Sequence, residues 1–82
     1  MVVKDIEKLL QAELLDAEIK VTGEDGAHFE ALIITDAFVD KKTLDRQKMV
    51  YAILGAHITS GAIHALSLKT FTQQEWRDKC VN

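Results

Sequence analysis

Three imidazoles, one thiol and a short basic run are the side chains here whose chemistry reaches beyond packing: His28, His57, His64, Cys80, and Lys41, Lys42, Arg46 and Lys48. A neutral imidazole is a common metal ligand and proton carrier, a thiolate is a ligand and nucleophile, and cations near a helix start can meet phosphate. None of them stands in a complete motif. There is no Cys-x-x-Cys, no His-Glu-x-x-His, no Gly-x-Ser-x-Gly elbow and no glycine loop of the phosphate-binding kind. The carboxylates scatter over faces expected to be wet. A catalytic site is therefore not in view, and the chain reads as non-enzymatic: a set of donors that fills part of a metal's coordination shell if a partner fills the rest.

Each candidate also has a plainer reading. His64 is either a histidine at the core edge or a ligand, and His28, at a loop-to-strand junction, is either a loop side chain or a ligand. His57 falls one heptad after Val50 on an apolar stripe, which points to packing. Cys80, two residues from the end, reads as a frayed terminal thiol. Asp40 and Asp45 interrupt the basic run, so a solvated face competes there with a phosphate patch.

Composition narrows the class. With 82 residues, 48% hydrophobic and 28% charged, the chain suits a single domain spanning residues 1–82 with one core. No apolar run approaches the roughly 20 residues of a membrane-spanning helix, and the first residues lack the pattern of a secretory signal. A cytoplasmic protein with no membrane partner is expected. One cysteine rules out an internal disulfide, and a net charge of -3 argues against indiscriminate phosphate binding.

The elements that must position these side chains follow from periodicity. Val3, Ile6, Leu9, Leu10 and Leu14 recur at helical spacing. Ala17, Ile19 and Val21 alternate with polar residues, Gly23-Glu24-Asp25-Gly26 breaks the pattern, and residues 28–35 resume it, which predicts a β-hairpin. The connection from Thr35 to Asp45 has room for one short helical turn. Val50, Ile53, Leu54, His57 and Ile58 give the longest helix its stripe, over residues 44–58, and Gly61 is available to end it. Residues 63–69 read as a strand, on which alternation puts His64 with Leu66 and Leu68 and puts Ile63 on the other face. Thr72 and Glu75 have the spacing of a capping box for a last helix. The order is α-β-β-α-β-α with room for an extra short helix, giving a three-stranded mixed sheet with helices on one face.

The combination Phe38, Arg46-Gln47, Val50-Tyr51, Leu54, Ile58, Gly61, the block Ile63-His64-Ala65-Leu66-Ser67-Leu68-Lys69-Thr70, Thr72 and Glu75-Trp76 resembles the BolA family, and within it the IbaG (YrbA) branch. The resemblance runs over nearly the whole chain. It implies an α/β (α+β) fold similar to the type II KH domain, in the order α-β-β-α-α-β-α. It further implies a monothiol glutaredoxin with a Cys-Gly-Phe-Ser motif as partner, and a [2Fe-2S] cluster shared with that glutaredoxin and glutathione, none being bound by the isolated chain. The family's signature histidine falls on His64 and its second ligand, from the loop between the first two strands, on His28. His57 matches no ligand.

On this reading the role is cluster trafficking or iron and stress regulation, with the free chain a monomer or weak homodimer. Two imidazoles on one iron, as in Rieske centres, raise the potential, and protons compete with iron for them, so acid should loosen the cluster. The alternative is a KH-like nucleic-acid-binding transcriptional regulator, with DNA as a candidate partner, using Lys41, Lys42, Arg46 and Lys48. Two departures from the family stand out. Val39-Asp40-Lys41 replaces a frequent glycine after Phe38, and Gln73-Gln74 replaces a common proline. The connection also lacks the Gly-x-x-Gly loop of nucleic-acid-binding KH modules.

Overall fold

The computed structural model describes residues 2–23, 25–26 and 28–81. Glu24, which belongs to the expected hairpin loop, lies outside the described residues.

Helix α1, Val3–Glu13, buries Ile6 and Leu10, one helical turn apart. Its last carbonyls have no partners within the helix, and Gln11 Nε2 lies 2.9 Å from Leu14 O, 3.1 Å from Leu15 O and 3.2 Å from Ala17 O. That one amide ties the helix end to the chain entering the sheet. Strand β1, Glu18–Thr22, pairs antiparallel with β2, His28–Ile34, and β2 pairs parallel with β3, Ala65–Phe71. The sheet order β1-β2-β3 makes β2 the central strand. Its alternate residues Phe29, Ala31 and Ile33 all point into the core.

Against that face lie α1 and helix α2, Thr43–Thr59, which contributes Val50 and Leu54. Between β2 and α2 a 3-10 turn, Asp36–Phe38, drops the fully buried Phe38 into the same core, its start held by Ala37 N donating to Thr35 Oγ1. Removing side chains of this size from water stabilises a fold by about 1.5–3 kcal/mol each. Helix α3, Gln73–Val81, buries no residue. Its Trp76 ring packs 5.2 Å from Phe71, which by alternation points to the face of β3 away from the core. The three helices and mixed sheet form an α+β fold.

The last strand begins later than periodicity predicts, and its phase differs. Helix α2 ends with Gly61 N donating to Ile58 O, and Gly61 takes the left-handed φ of 83°. Ile63 N then donates to His57 O at 3.0 Å. Because that N–H is spent on the helix end, residues 62–64 fold back before the ladder starts at Ala65. Ile63 is 2% exposed and so faces inward as Leu66 and Leu68 do, while His64 faces solvent. The expected grouping of His64 with Leu66 and Leu68 is corrected accordingly.

The capping box of α3 forms as its spacing predicts. Thr72 N donates to Glu75 Oε1 at 2.8 Å and Glu75 N donates to Thr72 Oγ1 at 3.1 Å. Glu75 does more than cap.

Candidate functional site

His28 opens β2 and His64 stands just ahead of β3. The parallel register pairs His28 with Ala65, so the residue before Ala65 arrives beside His28 wherever those two strands are joined. The rings are 5.7 Å apart between centroids and nearly perpendicular, at 83°. Both residues are exposed. Two imidazoles on one metal, with metal–nitrogen separations of about 2.0–2.1 Å, bring their ring centres to about 5 Å. The observed separation is somewhat longer than that.

His28 is oriented by a neighbour that sequence reasoning assigned only to the turn. Asp25 Oδ1 accepts from His28 N at 2.8 Å, and Asp25 Oδ2 lies 2.6 Å from His28 Nδ1. The signal was present as Asp-x-x-His across a glycine turn, the spacing at which a short carboxylate reaches the backbone ahead of it. The turn itself is closed by Gly26 N donating to Gly23 O, with Gly26 at a φ of 71°. Gly23 has a separate constraint, since a Cβ there would run into the Phe29 ring.

Beside His64 an apolar groove of about 440 Å³ runs between α2 and β3, lined by Tyr51, Gly55, Ile58, Ile63 and Leu66 among others. His57 sits half-buried on α2 and shares in neither the ring pair nor the groove lining. Cys80 is a free, exposed thiol in the last turn of α3. Neighbouring Lys79 reaches to 5.8 Å from the Phe71 ring, which keeps that turn near the far end of β3 from His64. Among the described residues no group of three or more His, Cys, Asp or Glu side chains is arranged to hold a metal ion.

The basic run divides. Lys41, Lys42 and Lys48 are exposed, but Arg46 is buried, and its inclusion in a phosphate-binding patch is corrected here. Arg46 Nε donates to Lys41 O at 2.8 Å, and one terminal nitrogen reaches Thr70 O at 3.3 Å. Both terminal nitrogens grip Glu75, at 2.7 and 3.2 Å. The Arg46 guanidinium, followed by the Thr72 backbone N–H, holds the Glu75 carboxyl down at about 2, against an ordinary 4.5. The guanidinium also lies 5.6 Å from the Phe38 ring centre. Four of its five N–H donors are thus spent inside the protein, on a side chain only 10% exposed. Arg46, Val50 and Leu54 follow one another at four-residue spacing on the buried stripe of α2, a spacing that permits the inward position but names no partner for the charge.

Among the described residues no helix is long and apolar enough to cross a membrane. The family described as BolA-like protein matches residues 10–75. The Escherichia coli K12 acid stress protein IbaG is 34% identical over 79 residues, covering 95% of this chain and 93% of that one. The DNA-binding transcriptional regulator BolA of the same organism is 34% identical over 50 residues, 61% of this chain and 47% of its own. A BolA homologue from Coxiella burnetii, 37% identical, superposes with a TM-score of 0.82 over 94% of this chain and 97% of its own. With the family match over most of its length and these relatives in agreement, the chain belongs to the BolA-like family.

Proposed function

We propose that this chain is a non-enzymatic iron–sulfur adaptor: His28 and His64 supply two imidazoles to one iron of a [2Fe-2S] cluster whose other iron is held by a monothiol glutaredoxin and glutathione. The observation that carries the reading is the exposed ring pair at 5.7 Å, built from two separate elements by the parallel pairing of β2 and β3. Two imidazoles would complete the ligands of one iron and leave the other iron to a second chain. The apolar groove next to His64 adds surface from which a partner would expel water. Neutral imidazoles in place of thiolates lower the negative charge on such a cluster and raise its potential. The chain's own part is to hold the two rings at the start of the β2–β3 pair, both exposed to a partner.

The test is anaerobic coexpression with a Cys-Gly-Phe-Ser glutaredoxin, followed by iron and sulfide analysis and visible circular dichroism of the complex. One cluster per pair of chains is expected, with His28→Ala and His64→Ala each altering the spectrum and hastening cluster loss. An unchanged spectrum in both variants sinks the assignment.

A second reading draws on the relative described as a DNA-binding transcriptional regulator. Here it would rest on Lys41, Lys42 and Lys48 around the start of α2, without Arg46. It requires salt-dependent binding that weakens when those lysines are replaced. No retention of DNA at physiological salt removes it.

A further inference from the structure

We infer that Asp25 is a positioning residue that presets His28 for metal binding through Nε2; the inference rests on the reading of His28 as a ligand. The carboxylate is an acceptor only, so the 2.6 Å contact with Nδ1 requires the ring hydrogen to sit on Nδ1. In the neutral ring the lone pair is then on Nε2, the nitrogen Asp25 does not touch. The same carboxylate accepts from the His28 backbone N–H at 2.8 Å, so the ring is anchored at two points to one side chain. That division of labour, one ring nitrogen on a carboxylate and the other toward a metal, is the usual arrangement around metal-bound histidine. It sets the tautomer and the ring's direction.

The geometry explains why aspartate serves here. Gly26, at a φ of 71°, turns the chain tightly enough for a carboxylate on a single methylene to meet the backbone and the ring three residues on. Asparagine would keep the backbone acceptor while facing Nδ1 with an NH2 donor. The ring would then carry its hydrogen on Nε2 and present no lone pair there. Among the described residues the histidine–carboxylate contact shorter than 4 Å is that of His28, not His64. Asp25 therefore acts on one ligand of the pair.

Asp25→Asn is the variant of choice, since the turn and its backbone bond survive. The first measurement is the nitrogen chemical shifts of the His28 ring by long-range proton–nitrogen NMR, on the metal-free protein in mildly alkaline buffer. Wild type should show hydrogen on Nδ1 and Asp25→Asn hydrogen on Nε2. The second is chelator-driven loss of the cluster from the glutaredoxin complex, expected to be about 10- to 100-fold faster in the variant, the usual effect of losing such a carboxylate. An Nε2-protonated ring in wild type overturns the inference. So does a variant that keeps its cluster as long as wild type does. A wild-type complex that assembles no cluster, whatever the ring state, overturns the iron–sulfur reading first and the role of Asp25 with it.

Discussion

Replacing Glu75 by glutamine tests whether the Arg46–Glu75 pair is a structural clasp. The carboxylate joins three segments: it grips the guanidinium on α2, it accepts from Thr72 N at the start of α3, and Arg46 in turn holds Lys41 O and Thr70 O. Glutamine keeps one acceptor oxygen and points an NH2 at a guanidinium that has nothing to accept with. Hydrogen bonds to charged groups contribute about 1.5–3 kcal/mol each, but Glu75 is 47% exposed, so water replaces part of what is lost. A second route gives a similar size. Holding a carboxyl at about 2 instead of 4.5 is worth at most about 3 kcal/mol at neutral pH, and solvent screening of a half-exposed pair reduces that to about 1.5 kcal/mol.

Glu75→Gln should therefore lose about 1.5–2 kcal/mol, or about 10 °C in Tm for a domain of this size. The sign with pH follows from the depressed folded value. The unfolded carboxyl takes up its proton first, so the contribution is full above about 4.5 and disappears as pH falls toward about 2. Urea melts of both proteins at neutral pH and through that acid range measure it. Equal midpoints at neutral pH, or a difference that does not shrink on acidification, would refute the clasp.

Two further outcomes are expected. Gly23→Ala should cost about 1–3 kcal/mol in urea unfolding, the usual range for overpacking, because the added methyl meets the ring of Phe29, itself 3% exposed. Asp40 holds a left-handed φ of 64°, a region that costs most side chains about 1–2 kcal/mol and aspartate less. Asp40→Gly should then gain about 0.5 kcal/mol after its extra unfolded-state freedom is counted, whereas Asp40→Val should lose about 1–2 kcal/mol. Opposite signs in one pair of melts would separate backbone strain from any role of the carboxylate. The same position lies in the segment where the sequence departs from the family's frequent glycine, so the conformation that glycine favours persists without it.

Local pattern was enough to read the elements. The stripe of α1, the alternation of β1 and β2, the left-handed stop at Gly61 and the Thr72–Glu75 box each depend on residues within a turn or two of one another, and spacing alone expresses that physics. The family, too, was legible in the block from Ile63 to Trp76.

Three matters were decided only by long-range packing. Arg46 turned inward because Glu75 and Thr70, distant in sequence, waited beside the buried stripe of α2. The phase of β3 shifted because Ile63 bonds to the end of α2 before the strand begins. The nearness of His28 and His64 comes from the register of a parallel strand pair, which is set by burying Phe29, Ala31 and Ile33 against the helices and not by anything adjacent to either ring. A sequence names its side chains and their local rhythm, but the distance between an imidazole on one strand and another just ahead of its neighbour exists only once the core has chosen how those strands lie together.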